Sequence, residues 1–433
     1  MFDTLIKNAL IIPMTGRGKF FRGSIGISAG YIDYVGTDEP EAKKVIDAGG
    51  RIVMPGLINA HAHTAMCVMR GYADDYPLND WLYKKVFPVE ARLDERAIVA
   101  GAALGMAEML RTGTTSFSDM YFCQPAVAME ADRIGMRANL CNAVLAIGDD
   151  YDFDSDRAVI ETLSMIPEWG GSGRIRADVA IHGEYTSSPE IWAKVHDWAV
   201  KYGMVTQLHL AETRAECEGA LERHGCTAAE AFYKHGVFDT PVLAAHGVWL
   251  TEADMALLAE KGVSVAHCPV SNLKLGSGMA NVAAMQRAGV NVCLGTDGAC
   301  SNNSLDLFEE MKLAALLAKG EALDPTAVDA YSALEMATVN GAKAQGREGE
   351  VGRIAEGYEA DIIMLDSLAP HLQPLYDPIS TVVYSARGSD VCMTMIAGRV
   401  LYRDGEWLTL DIKKAVEDVK AFAVPIVKNT IAK

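Results

Sequence analysis

Between residues 57 and 296 the chain repeats one pattern: a helical stretch, a glycine, and then a short, nearly continuous apolar run. It recurs in "LRTGTTSFSD", "DRIGMRANLCNAV", "AVKYGMVTQLHL", "YKHGVFDTPVLAAHG", "LAEKGVSVAHCP" and "MQRAGVNVCLGTDG". The glycines Gly113, Gly135, Gly203, Gly236, Gly262 and Gly289 stand where a helix ends in a left-handed residue. The runs that follow are β-branched and apolar on both faces, as buried parallel strands are. Adding "GLINAH" and "IRADVAIHG" gives eight strands separated by helical segments, which predicts an α/β chain folded as a (β/α)8 TIM-like barrel over residues 56–349. The competing architecture, an open doubly wound sheet, needs a GxGxxG phosphate loop after its first strand, and the sequence has none there.

The two ends are patterned differently. Residues 1–55 hold short alternating runs broken by turn signals, such as "GSIGISAGYIDYVG". From about residue 350 that pattern returns in "VGRIAEGYEADIIMLD" and "STVVYSARGSDVCMTMIAGRVLYRDGEW", both of which read as antiparallel β structure. Neither end is large enough to fold well alone, so residues 1–55 and 350–433 are expected to form one small β-sandwich domain together. The last stretch, "DIKKAVEDVKAFAVPIVKN", predicts an appended helix interrupted near Pro425.

Composition narrows the class. At 433 residues, half of them hydrophobic, the chain can bury a large core. A net charge of −18 without a lysine- or arginine-rich run argues against nucleic-acid or membrane-surface binding. Nine cysteines are scattered with no CxxC pair, and they read as reduced, mostly buried thiols. The start, "MFDTLIKNALIIPM", is too short and too polar for a signal peptide or membrane span, so the cytoplasm is the expected location.

In a barrel of this kind, chemistry gathers where the strands end. Strand one ends in His61 and His63, two apart and therefore on one face. Strand four ends in His182, strand five in His209 with Glu212 three residues on, strand six in His246, and strand eight in Asp297; strand seven carries His267. Six of the ten histidines thus fall at strand ends, which are a minority of positions. His61, His63, His209 and Asp297 match the nitrogen and carboxylate set that holds a catalytic zinc with one position open. Such a metal lowers the pKa of its water to roughly 7. Glu212, just past a ligand, is placed to shuttle a proton, and His246 to orient water or stabilise developing charge.

These motifs resemble the amidohydrolase superfamily, whose pattern is HxH on strand one, histidines on strands five and six, and aspartate on strand eight. Binuclear members carry a bridging lysine on strand four; His182 stands there instead, which implies one divalent metal per subunit, Zn2+ with Fe2+ as the alternative. Three further stretches, "RGYADDYPLNDWLYKKVFPVEARL", "VAHCPVSNLKLGSG" and "LGTDGACSNNSLDLFEEMKLAALLAK", narrow the resemblance to deaminases of S-adenosylhomocysteine, 5′-methylthioadenosine and related adenosines. By that resemblance, Glu90 binds the ribose hydroxyls, His182 contacts substrate, and Trp81 closes over the nucleoside. Glu212 protonates the ring nitrogen beside the amine-bearing carbon. Asp297 ligates the metal and takes the water's proton, with His246 assisting. The implied partner is a small nucleoside, and homo-oligomers are common among similar proteins.

The chain departs from the family at Gly183 and Glu184, where a small residue and proline usually follow the strand-four histidine. Arg137, Arg174 and Arg176 are candidates for reaching a substrate's tail carboxylate, but no local motif selects one. "His182-Gly-Glu184" matches the HxE of cytidine-type zinc deaminases; that class also needs a PCxxC segment, which is missing here. His196, His224 and His235 lie on helical patterns and read as surface residues, and His267 receives no role. Two other functions compete with the first. One is a deaminase or chlorohydrolase of another amino-substituted heterocycle such as guanine, a pterin or a triazine; the other is a non-catalytic barrel.

Overall fold

The computed structural model describes residues 1–146, 151–171 and 173–431. Eight parallel strand positions close into a barrel, each formed from one of the apolar runs. Strands one to three are Leu57–His63, Thr114–Tyr121 and Arg137–Asn142. Strand four is split by Asp178 into Ile175–Ala177, which pairs with strand three, and Val179–Ile181, which pairs with strand five. Strands five to seven are Thr206–Leu210, Val242–His246 and Ser264–His267. Strand eight runs as Asn291–Leu294 and resumes at Asp297–Gly298, where Asp297 pairs with Ala62 and Gly298 with His63 to close the barrel onto strand one. Strands two, three, five and six are buried along their whole length, which is why they read as unbroken apolar runs.

The joints behave as the pattern predicts. All six glycines have φ between +66° and +97°. At Gly135, φ is +97°, and a Cβ would sit 3.2 Å from Leu401, so both backbone and packing favour glycine there.

The two chain ends form the small β-sandwich as one continuous nine-stranded hydrogen-bonded sheet. It branches at the first strand, Phe2–Ile11, whose first half carries Ala42–Asp47 and whose last residues carry Ile52–Pro55. Ile52–Pro55 then pairs with Ile362–Leu365, joining the two ends of the chain. Its own core contains Ile6, Ile11, Ile25, Ile27, Val53, Ile362 and Met393. The sandwich is tied to the barrel by Arg137, whose buried guanidinium binds Asp361 at 2.8 Å and Glu359 at 2.6 Å.

Two segments differ from the reading of the sequence or refine it. "STVVYSARG" is not extended: Pro378–Tyr384 is a helix. Asp377 caps it by accepting from the N–H groups of Ile379 and Ser380, Pro378 occupies its first turn, and Ile379, Val382 and Val383 bury one face. Near the carboxyl terminus, Ile412–Asp418 and Val424–Ile431 are joined by a π-helical turn, Val419–Ala423, just ahead of Pro425, which has no N–H to continue the ladder. This helix lies against the barrel helix Glu95–Arg111, with Arg96 over the ring of Phe422 and Arg92 donating to Thr430. The final two residues of the segment predicted to complete the sandwich lie outside the described residues. Among the described residues no helix is long and apolar enough to cross a membrane, and all nine cysteines are free.

Candidate active site

The ends of strands one, five, six and eight converge at the barrel mouth. Asp297 Oδ1 lies 3.2 Å from His63 Nε2 and 3.5 Å from His61 Nε2. His209 Nε2 is 3.3 Å from His63 Nε2. Donor atoms of His61, His63 and Asp297 fall within 4.8 Å of one another, and so do those of His61, His209 and His246. His246 and Asp297 sit at positive φ, +76° and +60°. Such non-glycine conformations cost on the order of 1–3 kcal/mol each and persist where the surroundings hold them.

The outer nitrogens of two imidazoles are fixed by backbone carbonyls. His63 Nδ1–H donates to Met120 O at 2.5 Å and His209 Nδ1–H to His182 O at 2.6 Å, which turns the Nε2 of each ring toward the cluster. His61 Nε2 is buried with no hydrogen-bond partner in the protein. Burial pushes His61 down to about 4, and it drives His209, next to His182, well below the ordinary histidine range. Both rings are therefore neutral. Burial also acts against charge on His63, but the Asp297 carboxylate outweighs it and raises this ring to about 9. Asp297 is held well below the usual carboxylate range: burial opposes its charge, and His61 and His63 more than compensate. The neutral rings of His61 and His209, an ionised carboxylate that attracts positive charge to His63, and an orphaned buried nitrogen suit a divalent cation.

The surrounding side chains leave this donor set aimed inward. Ser271 and Ser301 both donate to Asp297 Oδ2, at 2.5 and 2.8 Å, so Oδ1 is left to face the histidines. His246 Nδ1–H donates to the Asn272 amide oxygen at 2.9 Å, and its Nε2 faces Glu212 Oε2 at 3.9 Å. Glu212 also accepts from Ser277 at 3.4 Å, and burial raises its carboxyl above the ordinary range, favouring the protonated form. Ser271 and Asn272 lie in the short helix Pro269–Lys274 after strand seven, and Ser301 in the single helical turn Ala299–Asn302 after strand eight. Position after a strand end was their only signal in the sequence.

A cavity opens above the cluster. His63, Trp81, Glu90, His182, His209, Glu212, His246 and Asp297 line it, and His61 lies underneath, its ring 4.8 Å from that of His63. The opposite wall is apolar, with Leu78, Leu82, Val86, Phe87 and Leu145. Glu90 accepts from the Tyr121 hydroxyl at 2.8 Å, and burial raises its carboxyl. Trp81, on a π-helical turn, keeps its Nε1 without a protein partner. His182 Nδ1 is 3.0 Å from Thr186 Oγ1, and burial pushes the ring down to about 3.

Other candidates lie elsewhere. Arg137, Arg174 and Arg176 stand at the starts of strands three and four, the end of the barrel away from the cluster. They pair with Asp361 and Glu359, with Asp132, and with Glu350 respectively, so none reaches the cavity. Glu184 is buried between Arg223, at 2.6 Å, and His224, at 2.7 Å, and is a structural acid. His224 is for that reason half-buried rather than a surface residue. His267 is buried, with Nδ1 unpartnered and burial holding it down at about 3. Burial also raises the Cys268 and Cys300 thiols, the latter to about 12.

Residues 52–401 match the amidohydrolase family. A protein of Moorella thermoacetica named 5-methylthioadenosine/S-adenosylhomocysteine deaminase is 45% identical, with 97% of this chain and 98% of that protein covered. A 5′-deoxyadenosine deaminase of Methanosarcina mazei is 43% identical over 99% of both chains. Among solved structures, an adenosine deaminase of Xanthomonas campestris with bound zinc superposes with a TM-score of 0.94, at 33% identity and 99% coverage of both chains.

Proposed function

The chain belongs to the amidohydrolase family, and from that premise we propose that it hydrolytically deaminates an adenosine derivative, giving the inosine analogue and ammonia. The observation that carries this reading is one cavity lined by members of the histidine–aspartate cluster, by Glu212, whose carboxyl burial raises, and by Glu90. Relatives named for deamination of methylthioadenosine, S-adenosylhomocysteine and 5′-deoxyadenosine, 42–45% identical over nearly the whole chain, support it.

His61, His63, His209 and Asp297 would hold one divalent metal, zinc in preference to iron, in keeping with the zinc of the 33%-identical structure. That metal supplies Lewis acidity that makes water nucleophilic near neutral pH. The chain's own groups move the protons. Asp297, ionised and steadied by two serine hydroxyls, accepts the proton of the attacking water and returns it to the amine, which departs as ammonia. Glu212 donates to the ring nitrogen beside the amine-bearing carbon, which makes that carbon electrophilic. His246, fixed by Asn272, orients the water. Glu90 accepts from the ribose hydroxyls, Trp81 offers its unpartnered indole N–H, and His182 contacts the nucleoside.

The preferred 5′-substituent is uncharged. Among the described residues, the cavity lining includes the carboxyl groups of Glu90, Glu212 and Asp297 and no lysine or arginine. A tail carboxylate would meet repulsion there, whereas a methylthio or deoxy group fits the apolar wall.

The test is ammonia release by metal-loaded protein with methylthioadenosine, 5′-deoxyadenosine, adenosine, S-adenosylhomocysteine, guanine and cytosine. Turnover of adenosines, with the uncharged ones leading, is expected. Activity on guanine alone would overturn the ribose assignment, and inertness of the zinc-loaded protein toward every compound would overturn the reading.

A further inference from the structure

The turn that carries Glu212 is held by a buried carboxylate with no place in the chemistry above. Helix Arg214–His224 opens with a capping box, in which Thr213 Oγ1 accepts the Glu216 N–H at 3.1 Å and Glu216 reaches back. In an ordinary box the third helical residue serves the N-cap N–H. Here that bond, to Thr213 N–H, is the longest at 3.4 Å; the shorter ones go to Glu212 N–H at 2.8 Å and Ala211 N–H at 2.9 Å.

A second box in the same barrel shows the ordinary behaviour. Asp254, third in helix Glu252–Lys261, takes the Thr251 N–H at 2.9 Å and the Thr251 hydroxyl at 2.8 Å with one oxygen and the Thr227 hydroxyl at 2.6 Å with the other, and binds no N–H ahead of its N-cap. Glu216, one methylene longer, passes its N-cap and binds the two residues before it. Ala211 is a non-glycine residue at φ +51°, a conformation that persists only where contacts over-determine it.

We propose that Glu216 is a positioning residue for Glu212. Its carboxylate clamps the N–H groups of residues 211–213 and so sets the direction in which the Glu212 side chain leaves strand five, between Ser277 and His246. The inference rests on Glu212 as the proton carrier.

The experiment is Glu216→Asp in the full-length, metal-loaded enzyme. Asp254 shows that aspartate at this helical position keeps the box closed, so the helix stays capped while the N–H groups of Ala211 and Glu212 fall out of reach. The expected result is a kcat reduced about ten- to hundred-fold, the scale set by displacing a catalytic group by an ångström. KM and metal per chain should be unchanged, because neither the substrate wall nor the ligand set has moved. Glu216→Gln keeps the length but swaps one acceptor for a donor, and an intermediate fall in kcat is expected; it also serves should the aspartate variant fail to fold. Wild-type kcat in a folded variant overturns the proposal, and so does a loss of metal or a rise in KM that accounts for the fall. Glu212→Gln is run alongside: full activity there would refute the parent reading instead.

Discussion

Replacing Arg137 by methionine should destabilise the protein while leaving its catalysis intact. The guanidinium is fully buried and makes four contacts: Nε to Asp361 at 2.8 Å, Nη2 to Asp361 at 3.1 Å and to Glu359 at 2.6 Å, and Nη1 to Glu359 at 3.4 Å. Methionine fills much of the same volume but leaves Asp361, 2% exposed, as an uncompensated buried charge. Removing one partner of a buried ion pair costs about 3–5 kcal/mol. With an unfolding entropy of about 2.1 cal/mol/K per residue over a chain of this length, that corresponds to a Tm lowered by about 3–6 °C if barrel and sandwich unfold together. Scanning calorimetry of the metal-loaded variant measures it. Adding Asp361→Asn and Glu359→Gln should recover part of the loss, since the stranded charges are then gone. Because Arg137 opens strand three at the end remote from His61 and His63, kcat and KM should stay at wild-type values for every substrate, S-adenosylhomocysteine included. A Tm shift below about 1 °C would refute the energetic argument, and a KM rise confined to S-adenosylhomocysteine would refute the placement of this arginine outside the site.

Three further outcomes are expected. Glu90→Ala should raise KM for adenosines by about ten-fold or more, the scale of a lost charge-assisted hydrogen bond, with metal content unchanged by elemental analysis. Stripping the metal with a chelator should abolish turnover and lower Tm by about 4 °C, the mass-action effect of a ligand present at about a thousand times its Kd, and Zn2+ should restore both. Burial pushes Asp178 up to about 6, with Asn139 and Gln207 donating to it. Its folded-state pKa is above the unfolded value of about 3.9, so its stabilisation is complete below about pH 4 and is lost as pH rises through about 6. Asp178→Asn keeps the hydrogen-bonding shape and should remove that slope, worth about 3 kcal/mol, from Tm measured between about pH 4 and pH 7.

The barrel was legible because its strands are apolar on both faces and its helices stop at glycines, two signals that do not depend on distant contacts. His61, His63, His209, His246 and Asp297 could be read for a related reason: each is a polar residue ending an apolar run. Asn272 and Ser301 could not, because their partners His246 and Asp297 are chosen by how neighbouring turns pack. Arg137 was misjudged as a tail-binding candidate although its position, opening a strand rather than ending it, already placed it at the far end; its partners lie more than 220 residues on. The helix Pro378–Tyr384 was hidden by its β-branched Thr381, Val382 and Val383, while the cap in "Asp377-Pro378" carried the opposite message.

Strand eight closes the barrel by pairing Asp297 with Ala62, between the two histidines of strand one. The proposed metal ligands thus straddle the seam where the first and last barrel strands meet, at paired residues 235 apart (297 − 62). An ion bound there would be a removable cross-link across the longest loop the barrel contains. Chain entropy makes such long closures the ones a link stabilises most, with a cost growing as about 1.5RT times the logarithm of loop length. Loss of the ion would weaken this seam without parting it, because the strand pairing of Asp297 with Ala62 and Gly298 with His63 remains. Competence and part of the barrel's stability would thus depend on the same stitch.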